Sequence, residues 1–112
     1  MLYDSKSATS VSGYSTLLGT ITLPAGKWIV DAMEWWQNNS TGSRYLYIRK
    51  GTAYDAEVLT AQSNPAPSPS TPFISCATSI EVTTSQVITM WGVQISGTDL
   101  LTGGSLKAIR IK

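Results

Sequence analysis

The stretch that most constrains the fold is Leu23 to Trp36, LPAGKWIVDAMEWW. Pro24 and Gly26 predict a tight turn, because proline fixes φ and glycine accepts positive φ. The residues after the turn predict one long strand, whose faces are both apolar apart from Asp31 and Glu34. One face carries Trp28, Val30, Ala32 and Trp36, and the other carries Ile29, Met33 and Trp35. A strand of this kind needs cover on both sides, and in so short a chain another subunit can supply part of it.

The rest of the chain predicts further short strands separated by turns. Alternating apolar side chains indicate strands over 19–23, 44–50, 73–82, 87–96 and 105–112. The turns between them are indicated by polar segments at 37–42, 83–86, 97–99 and 102–104. About seven to ten strands at this spacing are typical of an all-β antiparallel sandwich or barrel. We expect one domain over residues 1–112, in which residues 1–16 form an N-terminal arm or a first edge strand.

Three segments need separate comment. Residues 53–63 fit one helical turn, or a short strand with an irregular lead-in. Residues 64–72 hold four of the five prolines, so we expect an extended surface loop there. The loop at 37–42 contains overlapping Asn-x-Ser/Thr sequons at Asn38 and Asn39, which we interpret as a polar turn rather than as glycosylation sites.

The composition excludes several classes of function. Only 13% of the residues are charged and the net charge is +1, so there is no electrostatic basis for binding nucleic acid or an anionic membrane. No apolar run approaches the ~18 residues of a membrane span, and the N-terminal residues have no apolar signal-peptide core, so we expect no membrane insertion. Histidine is absent and Cys76 is the single cysteine. The chain therefore lacks the commonest metal ligand, the usual general base and an intrachain disulfide.

The carboxylates form no recognisable catalytic pattern. A glycosidase needs two of them about 5–10 Å apart across a cleft, whereas Asp31 and Glu34 should point to opposite faces of one strand. Asp55 and Glu57 fit solvated loop charges better than a catalytic pair or a calcium cage. Serine and threonine are plentiful, but without histidine or an activated lysine no nucleophile has a base. We therefore expect no enzyme activity, no catalytic residue, no metal site and no cofactor.

The aromatic residues are better candidates for a functional role. Trp35 and Trp36 are adjacent on a strand, so one should enter the core while the other meets a subunit, a ligand or solvent. Tyr45 and Tyr47 form an outward stripe with Arg44 nearby, which fits cross-strand packing or a ligand site. Flat rings give contact area at low entropic cost, and sugars stack on them. The predicted ligand-binding residues are Trp35, Trp36, Arg44, Tyr45 and Tyr47.

The two acidic residues on the long strand need partners. Asp31 and Glu34 should be paired or hydrogen-bonded, because an unpaired buried carboxylate is costly. The candidate partners are Arg49, Lys107 and Arg110, within the chain or across a subunit boundary.

The order of these motifs resembles a known family. The turn at 21–28, ITLPAGKW, precedes the long strand, the loop at 39–44 reads NSTGSR, and the segment at 94–97 reads QISG before a final strand. This order resembles the small C-terminal jelly-roll domains of phage tail fibres and other virion appendage proteins, which are similar to the tumour necrosis factor and complement globular-head type. The Trp35-Trp36 pair and the proline-rich loop depart from the family pattern.

The resemblance implies an antiparallel jelly-roll β-sandwich that forms a homotrimer, with inner sheets packed around a threefold axis. It also implies binding of a host-surface glycan or protein, and a location in a virion or extracellular appendage. Two other functions remain open from the residues. One is a purely structural cap that holds three fibre chains in register, and the other is a monomeric carbohydrate-binding module appended to an enzyme.

Overall fold

The computed structural model of the protein describes residues 1–11, 15–37, 39, 41–64 and 73–112. These residues form six antiparallel strands, arranged in one sheet in the order β1-β6-β2-β5-β3-β4. Their bounds are β1 (Leu2–Val11), β2 (Ser15–Trp36), β3 (Arg44–Lys50), β4 (Glu57–Asn64), β5 (Phe73–Gln94) and β6 (Leu100–Arg110). Of the loop predicted over 64–72, Asn64 is the last residue of β4, and residues 65–72 lie outside the described residues, as does Asn38 of the first sequon.

The two longest strands, β2 and β5, have 22 residues each and pair along nearly their whole length. A straight strand of that length would span roughly 70 Å. The longest dimension of the molecule is only 42 Å, so both strands must bend. The bend divides the sheet into two halves. The first half contains the part of β2 from Gly26 onwards and the part of β5 up to Val82, together with β6 and β1. The second half contains the remaining parts of β2 and β5, together with β3 and β4.

The predicted all-β antiparallel class is confirmed, but the number of strands is smaller than expected. Pro24 to Gly26 was expected to end a strand, and instead β2 continues through it with a register shift. Gly26 has a φ of 147°, and such a bulge lets proline, which has no N–H, remain in a strand. The residues at 83–86 and 102–104, each expected to form a turn, also continue within strands, in β5 and β6 respectively. Residues 57–64 form a strand after an irregular lead-in, not a helical turn.

The two halves of the sheet pack face to face, and glycines allow their closest approach. A Cβ added at Gly92, in the second half, would lie 2.7 Å from Glu34 Oε2 and 3.1 Å from the Trp36 ring in the first half. A Cβ at Gly104 would lie 2.6 Å from Met90 Cε. The bent sheet therefore encloses one core, as in a sandwich. Its largest fully buried apolar side chains are Trp36, Leu18, Leu23, Leu46, Ile48, Ile88, Met90, Leu106, Val30 and Val93.

The burial pattern of β2 shows why the strand could be recognised. From Trp28 to Trp36 its even-numbered side chains face the core and are all buried, whereas the odd-numbered ones are exposed or half-buried.

β1 lies at one edge of the sheet, paired with β6. Within the described ranges, no helix is long and apolar enough to cross a membrane.

Candidate binding surfaces

The outward side of the first half of the sheet, which we call the outer face, is unusually apolar. Ile29 of β2 pairs with Ile109 of β6, and the two side chains are 43% and 48% exposed. Trp35 pairs with Phe73 of β5, which is 67% exposed. The other apolar side chains on this face are Met33, Leu101 and Tyr3. Apolar patches of this extent on a folded chain usually mark a contact surface.

One ion pair lies in the middle of the outer face. Lys107 Nζ is 3.9 Å from Asp31 Oδ2, and the two residues are cross-strand partners on β6 and β2. The predicted pairing of Asp31 with a nearby cation is therefore confirmed within the chain. Both side chains are about half exposed, so the pair adds at most about 1 kcal/mol to stability in the isolated chain. If the face were covered, the pair would be desolvated and its geometry would help to set the register of the contact.

The adjacent tryptophans point in opposite directions, as predicted. Trp36 has no exposed surface, and its indole Nε1 has no hydrogen-bond acceptor. Trp35 is half-buried on the outer face, where its indole lies over Gly103: a Cβ there would be 2.8 Å from Trp35 Nε1. Trp35 can therefore contact a molecule placed on the outer face, whereas Trp36 is a core residue of this chain.

Arg44, another predicted ligand-binding residue, is fully buried and organises the loop before β3. Its Nη1 donates hydrogen bonds to the carbonyl oxygens of Thr41, Gly42 and Ser43 at 2.9, 3.1 and 3.2 Å. Its Nη2 donates to the carbonyl oxygen of Asn39 at 3.0 Å. Burial lowers the pKa of the guanidinium, and these oxygens offset the cost of desolvating its charge. With no exposed surface, Arg44 can influence a ligand only by shaping this loop.

Tyr45 and Tyr47 belong to a larger group that we call the aromatic cluster, which also contains Arg49, Tyr54 and Trp91. The rings of Tyr45 and Tyr47 stack with centroids 6.2 Å apart. Arg49 Cζ lies 4.7 Å from the Tyr47 centroid and 4.8 Å from that of Tyr54. Tyr54 meets Trp91 edge to face at 5.3 Å. The four rings are half-buried, so they both pack on one another and present part of their surface.

Hydrogen bonds to neighbouring groups of the chain hold the side chains of Trp91 and Arg49 in the aromatic cluster. Trp91 Nε1 donates to Thr89 Oγ1 at 3.1 Å, and that hydroxyl donates to the Gly51 carbonyl oxygen at 2.7 Å. Arg49 Nη1 donates to the Ala56 carbonyl oxygen at 2.8 Å. Sequence reasoning did not place Tyr54 and Trp91 beside the two tyrosines. Trp91 lies beside them because the register of β3 on β5 places it opposite Tyr47, and a single sequence does not show that register.

Glu34 contradicts the expectation that the acids on the long strand are paired. Its side chain is fully buried, and neither carboxylate oxygen has a hydrogen-bond partner. Burial raises the pKa of Glu34 well above its usual value. The nearby Trp36 indole partly offsets this shift in pKa without reaching normal hydrogen-bond geometry. None of the three expected cations reaches it: Lys107 pairs with Asp31, while Arg49 and Arg110 donate to backbone oxygens.

Among the residues that the structure describes, no three His, Cys, Asp or Glu side chains lie close enough together to hold a metal ion.

Two solved viral structures are similar to this chain. A structure of the infectious bursal disease virus Gx strain superposes with a TM-score of 0.61 at 12% identity, over 96% of this chain and 32% of that chain. The VP2 subviral particle of infectious bursal disease virus superposes with a TM-score of 0.59 at 11% identity, over the same shares. The chain thus corresponds to about a third of each viral chain, and at this identity the likeness shows the fold alone. No protein-family model and no curated protein matches the chain.

Proposed function

We propose that this chain is a non-catalytic structural domain of a virion, and that its outer face packs against identical copies in a homotrimer. The observation that carries the proposal is the outer face itself. It leaves Ile29, Ile109 and Phe73 between 43% and 67% exposed on strands whose other side forms the core. The viral setting is supported by the fold shared with infectious bursal disease virus particles and by the resemblance to virion appendage domains.

The chemistry of the outer face favours another copy of the chain over solvent. Covering apolar surface contributes roughly 25 cal/mol for each Å² removed from water, and a stable interface buries about 800 Å² on each partner. An apolar sheet face with the Asp31–Lys107 pair at its middle suits a contact between copies, because each copy brings both signs of charge. A jelly-roll trimer would place these faces around its threefold axis.

The test of the proposed assembly is a charge introduced on the outer face. We expect Ile29→Glu to reduce the mass in solution from the trimer to the single chain, since each copy would bring a like charge into an apolar contact. Val58→Glu is the matched control, because Val58 is 42% exposed but lies on β4, away from this face. Light scattering gives the mass, and circular dichroism checks that both variants stay folded. Equal masses for the two variants would contradict the proposed interface.

A second proposed function is attachment to a host-surface saccharide or protein, with the aromatic cluster as the contact. The half-exposed rings of Tyr45 and Tyr47, steadied by Arg49, support it. Of the predicted binding residues, Tyr45 and Tyr47 offer ring surface to a ligand at the aromatic cluster, whereas Trp35 lies on the outer face that the proposed trimer would cover. Trp36 and Arg44 would act only by holding the strand and the loop beneath.

A glycan array followed by titration tests attachment. We expect Tyr47→Ala to weaken binding of any glycan that scores by about tenfold, the effect of one lost contact of roughly 1.4 kcal/mol. Tyr3→Ala, which removes an exposed tyrosine on the outer face, should leave that affinity unchanged. An array without a positive glycan, together with a stable trimer, would favour the purely structural cap. A single-chain mass with saccharide affinity would favour the monomeric carbohydrate-binding module.

A further inference from the structure

The core of the sandwich contains an acid without a partner. Glu34 lies where the two halves of the sheet meet, with no exposed surface and no hydrogen bond to either carboxylate oxygen. A Cβ at Gly92 would come within 2.7 Å of Glu34 Oε2 and within 2.9 Å of Leu18 Cδ1, so the carboxyl group fills the space that glycine leaves open. Its surroundings are therefore closely packed, and they include the Trp36 indole, whose Nε1 has no acceptor in normal geometry.

We propose that Glu34 is a proton-operated latch: the sandwich is closed while the carboxyl group holds its proton, and ionisation opens the contact between the two halves. A neutral carboxyl group is tolerated in an apolar core far better than a carboxylate, which must find water or a cation. The site is closely packed, so an ionised Glu34 would gain hydration by moving apart from Gly92 and Leu18. The raised pKa of Glu34 follows from the same burial.

The other ionisable groups around Glu34 do not act as the proposed latch. Cys76 reaches the core from β5, and burial together with the charges of Glu34 and Asp31 raises the pKa of its thiol to about 11, so it stays neutral near pH 7. Asp31, on the same strand, faces outward and pairs with Lys107 of β6. Arg44 of β3 donates its hydrogen bonds to the carbonyl oxygens of the loop at 39–43. The position of β6 next to Glu34 is Gly104, which carries no charge.

The direction of the pH effect follows from proton linkage. The pKa of Glu34 is higher in the folded chain than its ordinary value of 4.5 in the unfolded chain, so the folded state holds a proton that the unfolded state releases. The stabilising contribution is complete below the unfolded value and is lost as pH rises towards the folded value. Within that window the folding equilibrium constant falls about tenfold per pH unit for one linked proton. No histidine titrates within this pH window, because the chain has none.

Urea unfolding followed by tryptophan fluorescence tests the latch, at pH values from about 5 to about 8, where ordinary carboxylates are already ionised. We expect the folding equilibrium constant of the wild type to fall with pH, by up to tenfold per unit until pH reaches the raised pKa of Glu34, and that of Glu34→Gln to stay level. Glu57→Gln is the matched control, since Glu57 is exposed on β4, and it should follow the wild type. Parallel profiles for the wild type and Glu34→Gln, or a wild type that gains stability with pH, would overturn the proposal.

A measurement on the wild-type chain covers the case in which Glu34→Gln does not fold. The chain has three glutamates, Glu34, Glu57 and Glu81, so their side-chain carboxyl carbons can be followed separately by NMR after isotope labelling. We expect the Glu34 carboxyl carbon to keep the signal of the protonated form at pH values well above the ordinary value of 4.5. A Glu34 resonance that titrates at its ordinary value would overturn the proposal.

Discussion

Arg44 is a cation in the core whose hydrogen-bond partners are all backbone carbonyl oxygens. The four oxygens belong to residues 39, 41, 42 and 43, so this one side chain donates hydrogen bonds to most of the carbonyl groups in a tight loop. A planar guanidinium can donate in several directions at once, which an ammonium group on a flexible stem cannot reproduce. Arg44 therefore holds the conformation of the loop that leads into the first residue of β3.

We expect Arg44→Lys to destabilise the chain by about 3 kcal/mol, because hydrogen bonds to a buried charge are lost and the new ammonium group stays partly unpaired. Urea unfolding monitored by fluorescence measures the change. Lys50→Ala, at the exposed end of the same strand, should change the free energy of unfolding by no more than about 0.5 kcal/mol. Equal effects of the two substitutions would show that the loop does not depend on Arg44.

The two acids of β2 show how far residue-level reasoning from the sequence reaches. Period-two alternation places Asp31 and Glu34 on opposite faces, and the structure agrees. Asp31 is half-exposed and meets Lys107, whereas the rule that buried carboxylates need partners fails for Glu34. The failure has a physical cause: a carboxyl group with a raised pKa can remain in the core as the neutral acid, and alternation alone does not reveal its protonation state.

At the scale of elements, β2 and β5 hold the sheet together, since they pair with each other in both halves. The sequence predicts the strand character of both, because their apolar residues alternate. It does not predict their continuity, because Pro24 and the segment 83–86 each have the composition of a turn. Pro24 lies opposite Ser85, so the two segments bend together as paired neighbours. That pairing joins residues far apart in the chain, and local composition carries no information about it.

The close approach of the two halves at Gly92 leads to an element-scale prediction. We expect Gly92→Ala to lower the free energy of unfolding by about 1–3 kcal/mol, because the added methyl group would meet Glu34, Leu18 and Trp36 at 2.7 to 3.1 Å. Thr83→Ala, exposed on the same strand, should have an effect of no more than about 0.5 kcal/mol. Thermal unfolding of both variants provides the comparison. An unchanged stability of Gly92→Ala would mean that the halves are less closely packed there.

At the scale of the whole molecule, the sandwich has one filled core and one apolar side without cover. The sequence indicated this imbalance, because the stretch from Trp28 to Trp36 has more apolar side chains than one buried face can use. It could not show which residues surround them. Phe73, Leu101 and Ile109 join the outer face only because β5 and β6 flank β2 on either side.

The mass of the protein in dilute solution tests this account most directly. Sedimentation equilibrium over a range of concentrations should give three times the 12.0 kDa of one chain if sister copies cover the outer face as we propose. A mass of 12.0 kDa at every concentration, from a folded chain that leaves Ile29, Ile109 and Phe73 in water, would contradict it.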